Sequence, residues 1–224
     1  MKLLKTKIVI LALMISLFVS NTVFAATSQQ KKIANTLDPF VVSILAEARS
    51  YCARDYNYSS KNYKKYIRKL YNGKLSAKQK SMIAASNTKA SSYVDYYEAS
   101  IGKISLSKVK SKYTNLFGTK RPTLKLPVVK SMKNVSSYYL GYAMDKKYAY
   151  SYSSEMELAY STKLLSVKKT GSGKYTLKKR YDFYNHWMSK QRGENPNVSV
   201  TATITVKTTK KSSYGYIITG LKIS

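Results

Sequence analysis

The stretch VSVTATITVKT, residues 198–208, leaves the chain little choice of architecture. Val198, Val200, Ala202, Ile204 and Val206 fall on one side of an extended segment. Ser199, Thr201, Thr203, Thr205 and Lys207 fall on the other. Side chains alternate across a strand, so this pattern predicts an antiparallel strand with one apolar face and one wet face. The apolar face must be covered by something else in the chain.

The cover lies upstream. In LDPFVVSILAEARSYCARDYNY, the residues Phe40, Val41, Ile44, Leu45, Ala48 and Cys52 recur at helical spacing. Asp38 reads as the N-cap, with Pro39 at the first helical position. SSKNYKKYIRKLYNGKLS predicts a second helix, with Tyr63, Tyr66, Ile67, Leu70 and Tyr71 on its apolar face and Asn72-Gly73 ending it. SAKQKSMIAASNTKASSYVDYYEAS opens with a Ser76/Gln79 capping box and is read as a third helix. SLSKVKSKYTNLFG predicts a fourth, with Val109, Tyr113, Leu116 and Phe117 on one side and Gly118 as its stop.

After TKRPTLKLP the period changes from about 3.6 to 2. YAYSY places Tyr148, Tyr150 and Tyr152 on one strand face. TGSGKY is a hairpin turn between two strands; Gly171 and Gly173 lack the strand–helix context of a phosphate loop. YGYIITGLKI is the last strand, bent or bulged at Gly220. The expected fold class is therefore α+β: helices at about 38–118 packed on a curved antiparallel sheet at about 123–224, in one domain spanning 38–224. The stretch Arg121–Pro127 marks the change. NLFG closing a short helix, followed by a strand-rich half ending in SSYGYIITGLKI, resembles small exported proteins of Gram-positive bacteria with a cone-shaped, NTF2-like (cystatin-like) fold. The resemblance covers about 105–224. It implies a curved sheet wrapped round helices, sometimes with a pocket, and it transfers no site residue.

The chain opens with MKLLKTK, an apolar run from Ile8 to Val19, and NTVFA. That order is a secretory signal peptide, with Val23 and Ala25 at the small positions before the cut. The apolar run is 12 residues long, whereas a membrane span needs roughly 20. Residues 1–25 are thus expected to be removed, and 26–37 to be a flexible mature N-terminus. Removing Lys2, Lys5 and Lys7 leaves 37 basic against 10 acidic residues, a net charge of +27 over 199 residues. The full chain has 34 lysines to six arginines. Lysine is a hydrated point charge and arginine the better planar fork, so the balance favours diffuse attraction to a polyanion over sequence reading. Cys52 is the only cysteine, which excludes an intramolecular disulfide and is read as a small buried residue.

Catalytic chemistry finds few supports. One histidine, one cysteine and 10 scattered carboxylates give no clustered metal site, and no cofactor motif is present. His186 is the single imidazole, beside the single tryptophan, Trp187. Asp182 sits on the same strand face as His186 but roughly 13 Å along the strand, too far for a dyad. Glu155 and Glu157 would share a strand face, as an acid/base pair or as ion-pair partners for lysines. In KYTLKKRYDFYNHWM, Tyr175, Leu177, Tyr181, Phe183 and Trp187 occupy one face. Lys178, Arg180, Asp182, Tyr184 and His186 occupy the other, so Trp187 is expected in the core and His186 outside.

The chain holds 22 tyrosines, and tyrosine offers a flat ring with a polar tip. They are read first as packed rings. Tyr148, Tyr150, Tyr152, Tyr184 and His186 are the candidate ligand contacts. The leading expectation is an exported, non-enzymatic protein of the cell envelope, drawn to anionic wall polymers or a membrane surface by long-range attraction. The alternatives are an NTF2-like pocket that binds or transforms a small ligand, and a tyrosine-rich carbohydrate surface. Basic and aromatic residues together suit single-stranded nucleic acid, but export argues against it as the natural partner. N-terminal sequencing of the secreted chain is expected to read from Ala26; a chain starting at Met1 overturns the cleavage.

Overall fold

The computed structural model describes residues 25–95, 99–137, 139–154 and 159–224. The segment before Ala25, and Glu155 and Glu157, lie outside the described residues. The element order is α1 (Ser28–Asn35), α2 (Asp38–Arg54), α3 (Ser60–Leu70), α4 (Ala77–Ser86), β1 (Ser92–Asp95), β2 (Ala99–Ser105) and α5 (Leu106–Phe117). Two short 3-10 turns, Met132–Ser137 and Tyr139–Gly141, lead to β3 (Tyr142–Met144) and β4 (Tyr148–Ser154). Then come β5 (Ala159–Gly171), β6 (Lys174–Tyr184), α6 (Trp187–Gln191), β7 (Val198–Thr208) and β8 (Tyr216–Ile223). The fold class is α+β.

The strands form two antiparallel sheets where one was expected. One has the order β1-β2-β4-β3 and the other β5-β6-β7-β8. The first borrows two strands from the half read as helical. The third helix stops at Ser86, where the Asn87 side chain donates to the Ile83 carbonyl. Beyond it, β2 is buried on both faces: Ile104 joins the main core and Ile101 a smaller cluster. A strand buried on both sides loses the alternation by which strands are recognised. Gly102 sits at a close approach in this sheet, since a Cβ there would meet Ser151 Oγ at 2.8 Å.

The stretch 26–37, expected to be a flexible mature N-terminus, holds the helix α1. Thr27 and Gln30 form a reciprocal capping box, with both backbone N–H groups satisfied at 3.2 and 3.0 Å. Ile33, Ala34 and Leu37 are fully buried, and Gln30 reaches Tyr216 on β8. The apolar faces of α2, α3 and α5 follow the expected pattern, whereas α6 stands where a strand was expected. The six apolar residues of α2 are all buried, and Gly118 ends α5 at φ 74°, in the left-handed region.

The helices cover the inner face of β5–β8. Leu177, Tyr181 and Phe183 of β6 and Val198 to Val206 of β7 share one core with α1, α2, α3 and α4. Tyr63 of α3 meets Phe183 edge-on at 6.1 Å. β6 ends at Tyr184, before the two rare residues. His186 lies exposed in a bend, and Trp187 opens α6, its side chain outside the described set. Strand alternation therefore does not extend to either.

One polar cluster lies in this interface. Lys179 shares the inner face of β6 with Leu177 and Tyr181, and it is 3% exposed. Its ammonium donates to both carboxylate oxygens of Asp38 and to Asn35 Oδ1, each at 2.7 Å. Tyr181 donates to the same Asp38 carboxylate at 2.7 Å. Asp38 thus lies at the first helical position, with Leu37 as the cap residue, and its side chain makes no capping bond. Removing one partner of a buried ion pair strands the other. Asp38→Ala is expected to cost about 3–5 kcal/mol in urea unfolding, because Lys179 has nowhere to go. Lys179→Met is expected to cost clearly less, since Asp38 keeps the Tyr181 hydroxyl and some solvent. Equal losses would refute that asymmetry.

Candidate functional site

The outer face of β5–β8 is the main uncovered polar surface of the sheet. Its side chains are placed by the alternation that buries their neighbours. The register sets them in rows across the strands. Ser166, Lys178, Thr203 and Lys222 form one row, Lys163, Arg180 and Thr201 the next. Lys168, Thr176 and Thr205 form a third, and Lys174 stands directly opposite Lys207 at the hairpin end. All of these basic residues are exposed. Neighbouring strands lie about 4.8 Å apart, so rows of cations and hydroxyls repeat on the scale of a flexible polyanion's charges.

Asp182 is the sole acidic residue of the four strands. It is already committed, accepting from Arg180 Nε at 2.7 Å and from Ser199 Oγ at 2.5 Å. The face therefore presents ammonium groups and threonine hydroxyls with almost no countercharge. The Lys174–Lys207 pair is locally unfavourable, since like charges directly opposite on a sheet repel. Gly173 turns the hairpin beside this pair at φ 64°, and Thr208 N donates to its carbonyl at 2.8 Å.

The sequence-derived candidates fall elsewhere. Tyr148, Tyr150 and Tyr152 do share a face of β4, but that face is covered at Tyr150 and in part at Tyr152. Tyr150 is 5% exposed in a cluster with Ile101, Val129, Val135 and Ala143, and Tyr152 packs against it. Tyr148 is 37% exposed. The three rings form no continuous platform. Tyr184 is half-buried at the end of β6, on the other sheet, and His186 lies just beyond it. Among the described residues, no three of His, Cys, Asp and Glu gather where they could hold a metal ion. No described helix is long and apolar enough to cross a membrane.

An open cleft of about 350 Å³ lies at the C-terminal end of α4. Ser86, Asn87, Thr88, Lys89, Tyr93 and Tyr142 line it with others. Its polar groups are largely spent on ending the helix: Asn87 Nδ2 donates to Thr36 and Ile83 carbonyls at 2.7 Å, and Thr88 to that of Ala84 at 2.8 Å. Burial pushes the Tyr142 hydroxyl up to about 12, against the pull of its hydrogen bond with Ser86. The lining of the cleft holds no His, Cys, Asp or Glu.

Comparison with protein-family models, with curated proteins and with solved structures finds no match. The reading of this molecule therefore rests on its own geometry. Sequence reasoning placed the wet face of β7 and part of that of β6. It missed how the register aligns β5 and β8 beside them, which a single sequence does not reveal. It also passed over Lys179, although the parity of Leu177 and Tyr181 sets that residue on the inner face.

Tyr150 carries one testable electrostatic link. Burial, and then its hydrogen bond to Asp145, pushes the Tyr150 hydroxyl up to about 12. Burial tends to raise the Asp145 carboxyl as well. The Tyr150 hydroxyl at 2.6 Å and the N–H groups of Lys147 and Tyr148 at 2.7 Å outweigh it and hold Asp145 below its usual value. A carboxyl lowered in the folded state stabilises above its unfolded value, and that contribution is lost as pH falls through the folded one. Tyr150→Phe is expected to raise the Asp145 midpoint in a carbon-detected NMR titration, so that the acid-side loss starts at higher pH. An unmoved midpoint would show that the backbone donors alone set it.

Proposed function

We propose that this is an exported, non-enzymatic binding protein of a Gram-positive cell envelope, held to anionic wall polymers by the outer face of β5–β8. The observation that carries the reading is that face: exposed cations in register, interleaved with threonines, with its one acid already paired. The signal-like N-terminus and the net charge of +30 on the full chain point the same way. Lysine ammonium groups and hydroxyls suit phosphate oxygens without demanding a fixed geometry.

The cleft beside α4 favours a small-ligand reading second, in line with the NTF2-like expectation. Its committed polar groups place it behind the sheet face.

The test is retention on an immobilised poly(glycerol phosphate). Binding through several phosphate contacts should weaken steeply as salt rises, by analogy with single-stranded polyanions, at about 0.7 log unit in affinity per log unit of salt for each contact. Replacing Lys174, Lys178, Lys207 and Lys222 by Gln is expected to weaken binding about tenfold or more and to flatten the salt slope. A control changes the same charge elsewhere: Lys120, Lys130, Lys133 and Lys146 to Gln, all exposed. Equal losses in the two variants would mean that net charge, and not this face, does the binding. No retention at low salt would end the reading altogether.

A further inference from the structure

The helical side of the molecule carries a second concentration of charge. α3 has five exposed cations, Lys61, Lys64, Lys65, Arg68 and Lys69, and no acidic residue. Its other side, Tyr63, Tyr66, Ile67 and Leu70, is buried. Lys61–Lys65, Lys64–Arg68 and Lys65–Lys69 are four apart and so neighbours on the helix surface, where like charges destabilise. None of the ion pairs among the described residues involves these five.

The acids of this surface are Asp55, which accepts from the Tyr66 hydroxyl, and Glu47 near Arg54, and aromatic rings supplement them. Tyr51 of α2 and Tyr66 of α3 stack at 4.8 Å with an interplanar angle of 10°. Arg54 lies 4.3 Å and Lys69 4.9 Å from the centroid of Tyr51, and Lys65 lies 5.5 Å from that of Tyr66. A cation against a ring face gains attraction and keeps its charge. The rings also limit how freely the long side chains move, so less order is lost when an anion arrives.

The two charged faces point away from each other. Tyr63 of α3 rests on Phe183, and the Tyr71 hydroxyl at its end donates to the Leu221 carbonyl of β8. The buried side of α3 thus meets the inner face of the same sheet whose outer face carries the lysine rows. Its cations project on the opposite side of the core.

We infer that the α2–α3 surface is a second, independent site for an anionic phosphodiester polymer, and that one molecule bridges two polymer chains. This rests on the sheet-face reading of the preceding section. Two sites on opposite sides cannot easily serve one straight chain, but they can link two, and linked sites convert weak contacts into firm ones. A single-sided binder would coat the polymer. A two-sided one condenses it.

The experiment uses the mature chain, soluble poly(glycerol phosphate), light scattering and calorimetric stoichiometry. The wild-type protein is expected to produce turbidity that passes through a maximum with added polymer and dissolves in high salt. The helix-face variant, Lys61, Lys64, Lys65 and Arg68 to Gln, is expected to bind still, at about half the polymer phosphate per protein, and to lose the turbidity. The sheet-face variant should likewise bind at reduced stoichiometry without turbidity, and the combined variant should do neither. Full turbidity and unchanged stoichiometry in the helix-face variant overturn the second site. Loss of all binding in the sheet-face variant does so too. Wild-type binding without turbidity removes the bridging while leaving the sheet face standing, whereas no wild-type binding removes both. Circular dichroism melting of each variant separates lost contacts from lost folding.

Discussion

The ammonium of Lys179 governs how the two layers of this molecule meet. A lysine cannot enter a core alone, because taking its charge out of water costs several kcal/mol. Its position on β6, between Leu177 and Tyr181, leaves it no route to the outside. The chain answers by starting α2 at Asp38 directly over it and by placing Asn35, the last residue of α1, within reach. One group therefore ties β6 to two helices at their junction, and the Tyr181 hydroxyl closes the set on the Asp38 carboxylate. Such a pair adds little net stability over an apolar replacement, but it penalises every arrangement of helices on sheet that leaves the charge unmatched. The apolar contacts of α2 would tolerate some sliding; the ion pair does not.

The tyrosines do related work. Tyr63 donates to Asn185, Tyr66 to Asp55, Tyr71 to the Leu221 carbonyl, Tyr150 to Asp145 and Tyr181 to Asp38. Each ring fills core or near-core space while its hydroxyl fixes a definite partner, often on a distant element. With Cys52 buried and alone, no intramolecular disulfide is open to the chain. Hydroxyl tethers between the helical layer and the strands supply part of the specificity that disulfides provide in many exported domains. Among the described residues seven tyrosines are buried, while Tyr56 and Tyr93 stand well exposed.

What was legible in the sequence was local or strictly periodic. The six buried residues of α2, the Ser76/Gln79 box and the alternation of β7 each depend on a few neighbours. The Thr27/Gln30 box before α1 has the same spacing and was equally readable. What failed was non-local. β1 and β2 became strands because β4, some fifty residues on, pairs with β2 from Ala99↔Ser154 to Ser105↔Tyr148. Tyr150 left the ligand face because the segment holding Val129 and Val135 folds over it. Asp38 looked like a cap because capping is local, and its actual partner lies 141 positions away. For the site the limit is similar: a strand's wet face can be read from its own residues, but a surface exists only once register aligns several strands.

The distribution of charge bears on whether it has a use beyond solubility. Solubility needs net charge, and scattered lysines would supply it with the least internal repulsion. This chain instead sets Lys174 opposite Lys207 and stacks cations four apart along α3. At roughly 8 Å, the screening length at physiological salt exceeds the separation of such neighbours, so solvent ions do not remove their repulsion. Those arrangements cost stability in the isolated molecule. The cost disappears when a polyanion lies across the rows, because its phosphates then sit between the charges that repel. Under the proposed function the crowded cations would be better matched to a bound state than to the free one, and binding would stabilise the fold.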